Sequence, residues 1–109
     1  MLIEQASTLL FNFKLEEGSL QMVIMQNKRG QYGIIENVFV EEPFRGKGIA
    51  TKLMAEAVKL AKQLKLYKIT LTCADDLTLM YSKMGFKWYP LGQSHCMRMN
   101  IQYNDKETQ

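Results

Sequence analysis

Residues 44–52 concentrate the groups best suited to binding chemistry. They read Phe44-Arg45-Gly46-Lys47-Gly48-Ile49-Ala50-Thr51-Lys52. An extended, apolar run precedes them and a helical pattern follows. The first N–H groups of a helix have no intrahelical acceptor and face outward at the positive end of its dipole. A phosphate placed there accepts several of them at once. Gly46 and Gly48 carry no Cβ to block that approach, and they permit positive φ where a loop folds into a nest. Arg45, Lys47 and Lys52 add positive charge around the same spot. Two common phosphate loops are excluded by spacing. The Walker pattern and the dinucleotide pattern G-x-G-x-x-G, started at Gly46, both require glycine where Thr51 stands.

Other reactive side chains are sparse. Cys73 and Cys96 are far apart and have no C-x-x-C spacing, so they read as small strand residues in a reducing compartment, the cytoplasm. His95 is the single histidine and has no ligand cluster around it, which argues against a metal site. The scattered methionines read as core filler.

The elements that must position the loop follow from periodicity. Residues 1–7 are mixed, either a frayed start or a short strand. Leu9, Phe11, Phe13 and Leu15 alternate across residues 8–16, and Leu20, Met22 and Ile24 across residues 20–26; both patterns are those of strands. Turns fall at Glu17-Gly18 and at residues 27–30. A third strand over residues 32–41 completes an antiparallel meander. Pro43 ends it. A helix is expected from about Lys47, with Ile49, Leu53, Ala57, Leu60 and Leu64 on its core face. Ile69, Leu71 and Cys73 mark a parallel strand after it, giving a βαβ unit. Asp75 and Asp76 are N-cap candidates for a short helix running to about Met84. Gly85 should end that helix. Residues 86–89 and 96–101 look like two last strands, and residues 104–109 like a mobile tail.

The chain has 109 residues, enough for one domain, residues 1–109, with one core. A composition 47% hydrophobic and 23% charged is globular. Net charge +3 is too modest to point to nucleic acid. No apolar run approaches the roughly 18–20 residues that span a bilayer, and the N-terminus lacks the features of a secretory signal.

The spacing Arg45-x-x-Gly48-x-Ala50 resembles the Q/R-x-x-G-x-G/A signature of the GNAT N-acetyltransferase superfamily. Tyr81, Lys83, Gly85 and Phe86 resemble that family's F-Y-x-K-x-G-F segment, with Met80 in place of the first aromatic. The two signatures occur in the family's order, and residues 34–86 carry the match. The resemblance implies an α+β fold with a mixed central sheet: the meander, the βαβ unit, a short helix and C-terminal strands. It implies acetyl-CoA as cosubstrate and no metal. It places the pantetheine arm along the backbone of Val38, Phe39 and Val40, and the pyrophosphate on the loop through Arg45, Gly46, Lys47, Gly48, Ile49, Ala50 and Thr51. Tyr81 would protonate the departing thiolate. Glu36, the acid within the strand before the loop, would remove the proton of a primary amine. Cys73 ends a strand facing the same gap and is a further nucleophile to consider.

The pattern departs from the family in two places. Leu77 stands near a position where many members carry Asn. The stretch before the meander is too short for the two helices that usually wall the acceptor site. An open acceptor side, or one walled by a second copy in a homodimer, is therefore expected. A small molecule and a peptide amine both remain open as acceptors; a resemblance to the glucosamine-phosphate branch lies in the lead into the loop and in the Lys-Ile-Thr-Leu-Thr-Cys strand. An acyl-CoA-binding module without turnover is the alternative reading. A nucleic-acid domain using Arg29, Arg45, Lys47 and Lys52 ranks behind both.

Overall fold

The computed structural model describes residues 1–91 and 94–103. Among the described residues, seven strands form one sheet in the order β1-β2-β3-β4-β5-β7-β6. They are β1 (Leu2–Ser7), β2 (Leu10–Leu15), β3 (Gly18–Asn27), β4 (Gly30–Val40), β5 (Lys68–Cys73), β6 (Lys87–Leu91) and β7 (Ser94–Asn100). Helices α1 (Ile49–Gln63) and α2 (Thr78–Lys83) accompany them. The β4 and β5 strands are parallel and all other neighbours antiparallel, so the sheet is mixed.

Residues 1–7 are strand rather than frayed chain: Leu2 pairs with Lys14 and Gln5 with Phe11. The meander therefore has one strand more than the alternation of the later segments announces. Leu9 leaves the expected stripe, because it lies in the turn before β2 and is exposed. Helix α1 starts at Ile49, not Lys47. Gly46 and Gly48 have φ of 77° and 83°, which no helical residue adopts. Neither Asp75 nor Asp76 takes the N-cap position of α2. Residues Asp75–Leu77 make a 3-10 turn, and the N-cap position falls to Leu77 with no side-chain hydrogen bond. Gly85 ends α2 as expected, with φ of 103°. The proposed tail, residues 104–109, lies outside the described residues.

Helix α1 lies on one face of the sheet. Its buried Leu53, Met54, Ala57 and Ala61 share a core with Phe11, Phe13, Leu20, Met22, Ile24 and Ile35. Burying each large side chain of this set contributes about 1.5–3 kcal/mol. Gly33 is part of the fit: a Cβ there would come within 2.9 Å of Met22 Sδ.

The β3–β4 ladder carries an irregularity beside the future site. Gln21 pairs with Glu36, but Ser19 pairs with Phe39. Leu20 thus opposes both Asn37 and Val38, which is a β-bulge. Asn37 absorbs it with φ of 53°, a conformation Asn tolerates better than most residues. Beyond this region β4 and β5 part. Their paired positions are Gly33 with Ile69 and Ile34 with Thr70, and the C-terminal halves of both strands diverge.

Candidate active site

The divergence opens a cleft between β4 and β5. It is continuous with the loop that ends at α1. The wall of this first cleft, about 590 Å³, runs from Val38, Phe39 and Val40 through Phe44, Arg45, Gly46 and Gly48 to Ile49, Ala50 and Thr51, with Leu77, Met80 and Tyr81 opposite. The backbone of β4 past Ile34 has lost its β5 partner, so its peptide groups on that side face the cleft rather than a strand. An extended, amide-bearing chain can bond them as a strand would. Phe39 and Phe44 are 47% and 40% exposed, apolar rings left open along the same wall.

At the loop end the cradle forms as its glycines require. Gly48 occupies the N-cap of α1 in the left-handed region, with no side-chain cap. Lys52 N donates to Gly48 O at 3.0 Å, closing the first helical turn. The earlier amides of α1 keep their donors for an outside acceptor. A Cβ added at Gly46 or Gly48 would meet nothing within 4 Å, so both glycines border open space. Arg45 lines the cleft and donates through Nε to Val40 O at 2.9 Å, tying the loop back to the end of β4. Lys47 lies over the Phe44 ring, 5.8 Å from its centroid, and its side chain is not among those lining the cleft. Such an arrangement can accept a diphosphate joined to a chain with amides. Among the described residues no cluster of His, Cys, Asp and Glu could hold a metal ion.

A second cleft, about 470 Å³, opens from the same gap. Ile35, Glu36, Asn37 and Val38 line it from β4, Leu71, Thr72 and Cys73 from β5, with Ala74, Leu77 and Tyr81 closing the end. Val38, Leu77 and Tyr81 belong to both clefts. Tyr81 is 4% exposed and packs edge-to-face on Phe86, with centroids 6.1 Å apart. Burial raises its phenol above the ordinary tyrosine range, and the charge of the nearby Cys73 thiolate raises it further. This phenol lies at the meeting point of the two clefts and holds its proton more tightly than an exposed tyrosine does.

The structure thus brings Tyr81 and Glu36 to one cleft, and Tyr81 and the glycine loop to another. Sequence reasoning missed Asn37. The signal was present, since Asn next to the strand acid is the residue type that accepts positive φ. The side chain of His95 lies outside what is described.

Fold and site together define a class: a mixed sheet whose central parallel strands part over a helix-terminal phosphate cradle. The Acetyltransferase (GNAT) family matches residues 10–86. The chain belongs to this family. It is 35% identical, over 57 residues and 52% of its length, to the "Probable glucosamine 6-phosphate N-acetyltransferase 2" of Oryza sativa subsp. japonica, 34% of which is covered. The glucosamine-6-phosphate N-acetyltransferase of Arabidopsis thaliana superposes with a TM-score of 0.69 at 22% identity, over 88% of this chain and 66% of that one. The PaiA N-acetyltransferase of Thermoplasma acidophilum, in complex with coenzyme A, gives 0.68 at 18% identity, over 84% and 60%. The chain spans about a third of the length of the curated relatives it matches.

Proposed function

We propose that the chain is an N-acetyltransferase that moves an acetyl group from acetyl-CoA to a primary amine by direct attack. The observation that carries this reading is the position of Tyr81, buried and shared by the cofactor-type cleft and the cleft beside it. In this reading the amides of Gly48, Ile49, Ala50 and Thr51 take the pyrophosphate, with Arg45, Gly46 and Lys47 around it. The freed backbone of Val38, Phe39 and Val40 takes the pantetheine amides. Acetyl-CoA supplies an activated thioester. Glu36 removes a proton from the acceptor ammonium, directly or through water. The neutral nitrogen attacks the thioester carbonyl, the C–S bond breaks, the nitrogen that is now acylated releases its second proton to solvent, and Tyr81 passes its own proton to the leaving thiolate. Coenzyme A and the acetamide leave, and the proton taken by Glu36 restores Tyr81 through solvent.

The relatives' names make glucosamine 6-phosphate the first acceptor to try, and the open second cleft also admits a peptide amine. Incubation with acetyl-CoA and a panel of amines, read as thiol release, tests the reading; the expected result is amine-dependent release that Tyr81→Phe slows. The openness of the second cleft favours one further reading, an acyl-CoA-binding module without turnover. Tight acetyl-CoA binding with no thiol release from any amine would select it. We also propose that a second copy of the chain walls the acceptor cleft, as a homodimer, and that the protein works in the cytoplasm, where Cys73 and Cys96 stay reduced. A monomer by light scattering at micromolar concentration would count against the dimer. Among the described residues no helix is long and apolar enough to cross a membrane.

A further inference from the structure

The sheet face opposite α1 carries a polar row that the catalytic reading leaves without a task. Strand alternation puts Phe11, Phe13, Leu20 and Met22 under α1 and sends Asn12, Lys14 and Gln21 to the other side. Asn12 stands opposite Gln21, and Gln21 opposite Glu36, so the row crosses β2, β3 and β4 at right angles to the strands. Its amides are already linked. Gln21 Nε2 donates to Asn12 Oδ1 at 2.8 Å, and Asn37 Nδ2 donates to Gln21 Oε1 at 2.6 Å. The bulge at Asn37 makes the second bond possible, because it turns that side chain towards β3. A groove of about 240 Å³ follows the row, lined by Asn12, Lys14, Ser19, Leu20, Gln21 and Asn37. Asn37 also lines the acceptor cleft, so the groove and the cleft adjoin.

The charges along this track are ordered. Glu36 stands at the end that meets Tyr81. Neutral amides and the Ser19 hydroxyl fill the middle. Lys14 closes the far end, its ammonium 3.2 Å from Glu4 in a pair that is about half exposed on both sides. Such an exposed pair contributes about 1 kcal/mol or less, so the ammonium can be shared with an incoming anion. From β4 to β2 is two strand spacings, about 9.5 Å, and Lys14 stands opposite Ser19, two residues along β2 from Asn12, so its backbone lies about 12 Å from that of Glu36.

Resting on the acetyl-transfer reading, we propose that this row is the acceptor's track, and that it selects a hydroxylated primary amine bearing an anionic group at its far end. The ammonium lies by Glu36, hydroxyls bond the linked amides, and the anion meets Lys14. A polyamine would bring its second cation against Lys14. A peptide strand would be held by main-chain groups along a strand edge, whereas this row presents side-chain amides across strands. Asn12, Gln21, Asn37 and Lys14 are then positioning residues for the acceptor.

The test uses glucosamine 6-phosphate, glucosamine, spermidine and a short lysine peptide as acceptors, with wild type, Lys14→Gln and Gln21→Leu. Acetyl-CoA affinity by calorimetry and the melting temperature are followed in parallel. Lys14→Gln should raise KM for the phosphorylated sugar about tenfold, the loss of one charge-assisted contact, and leave glucosamine unchanged. Gln21→Leu should raise KM for both sugars and leave kcat and acetyl-CoA affinity in place. Sugar KM values blind to both substitutions, or a preference for spermidine or the peptide, would overturn the track while leaving the transferase standing. A wild-type chain that does not bind acetyl-CoA would sink the transferase reading, and this inference with it.

Discussion

Substituting Gly48 separates what the cradle does for the fold from what it does for a ligand. The residue sits at φ of 83° and ψ of 13°, at the N-cap of a 15-residue helix. An L-residue in that region costs about 1–2 kcal/mol relative to glycine. In a domain near 100 residues, each kcal/mol moves the melting temperature by about 4–8 °C. Gly48→Ala should therefore melt several degrees lower and still fold. No protein atom lies within 4 Å of the added Cβ, so the fold meets no further steric cost. The open space it enters is the wall of the first cleft. A methyl there keeps a diphosphate from the amides behind it. If two charge-assisted hydrogen bonds are lost at about 1.5–3 kcal/mol each, acetyl-CoA affinity falls by about 10²- to 10⁴-fold. Gly48→Asn is the control for conformation. Asn tolerates the left-handed region, so its melting temperature should sit between those of glycine and alanine, while its larger side chain still blocks the cradle. Calorimetric titration with acetyl-CoA reads the binding, and a thermal melt reads the fold. Acetyl-CoA affinity within about threefold of wild type in either variant would refute the placement of the diphosphate at this loop.

Four further sites yield expected outcomes. Tyr81→Phe should keep acetyl-CoA affinity and lower kcat, because the ring still packs on Phe86 and only the donor is lost; full activity would move the proton donor elsewhere. Tyr81 must be protonated to act, so kcat should be present below its pKa and fall as pH rises through it, on a basic limb above the ordinary phenol value of about 10. Cys73→Ala removes the charge that helps raise that pKa, so the limb should move to lower pH; a limb that stays in place would exclude Cys73 as a cause. Stability follows the same sign: the native state keeps a proton that the unfolded state releases, so Tyr81's contribution is whole below the ordinary phenol pKa and is lost as pH rises to the raised one, which Tyr81→Phe should abolish in pH-dependent melts. Glu36→Gln should lower kcat/KM for the amine and spare acetyl-CoA affinity, and an unchanged rate would leave deprotonation to water. Gly18→Ala should destabilise the chain by more than an ordinary strand substitution, because its Cβ would press on the Phe39 carbonyl and the Val40 Cα at the end of β4; a melt unchanged from wild type would contradict that contact.

Much of this was legible in the residues alone. The apolar stripe of α1 and the alternation in β2, β3 and β5 carry a strong period, and these elements lie where the period puts them, except at the ends: Leu9 falls in the turn before β2 and Leu64 just past α1, and both are exposed. Glycines at 46, 48 and 85 marked positions of positive φ by residue type alone. What failed was local and had local causes. Strand β1 is exposed along its whole length, so no buried face writes an alternation into residues 2–7. The aspartates before α2 have the right chemistry for a cap, but a 3-10 turn takes up the residues that would place them. Asn37 was the costliest omission. A bulge leaves no mark on the hydrophobic pattern except one residue out of step, and residues 34–40 carry apolar side chains on both faces, which hides the step.

Asn37 links the parts of the site that sequence treats separately. Because Leu20 opposes two residues of β4, the strand turns by one position between Glu36 and Val38. Upstream of that turn Ile34 is still paired with β5, and Glu36 shares a face with Gln21. Downstream, Val38, Phe39 and Val40 carry their peptide groups along a gap that β5 has left. One extra residue thus stands between the backbone that lines the first cleft and Glu36, which lines the second with Tyr81 from α2, and it links the bulged amide to Gln21. Restoring a regular β3–β4 ladder would reverse the direction of every side chain beyond it. The glycine loop and the tyrosine would both survive that change in sequence, while the side chains of β4 between them turned over.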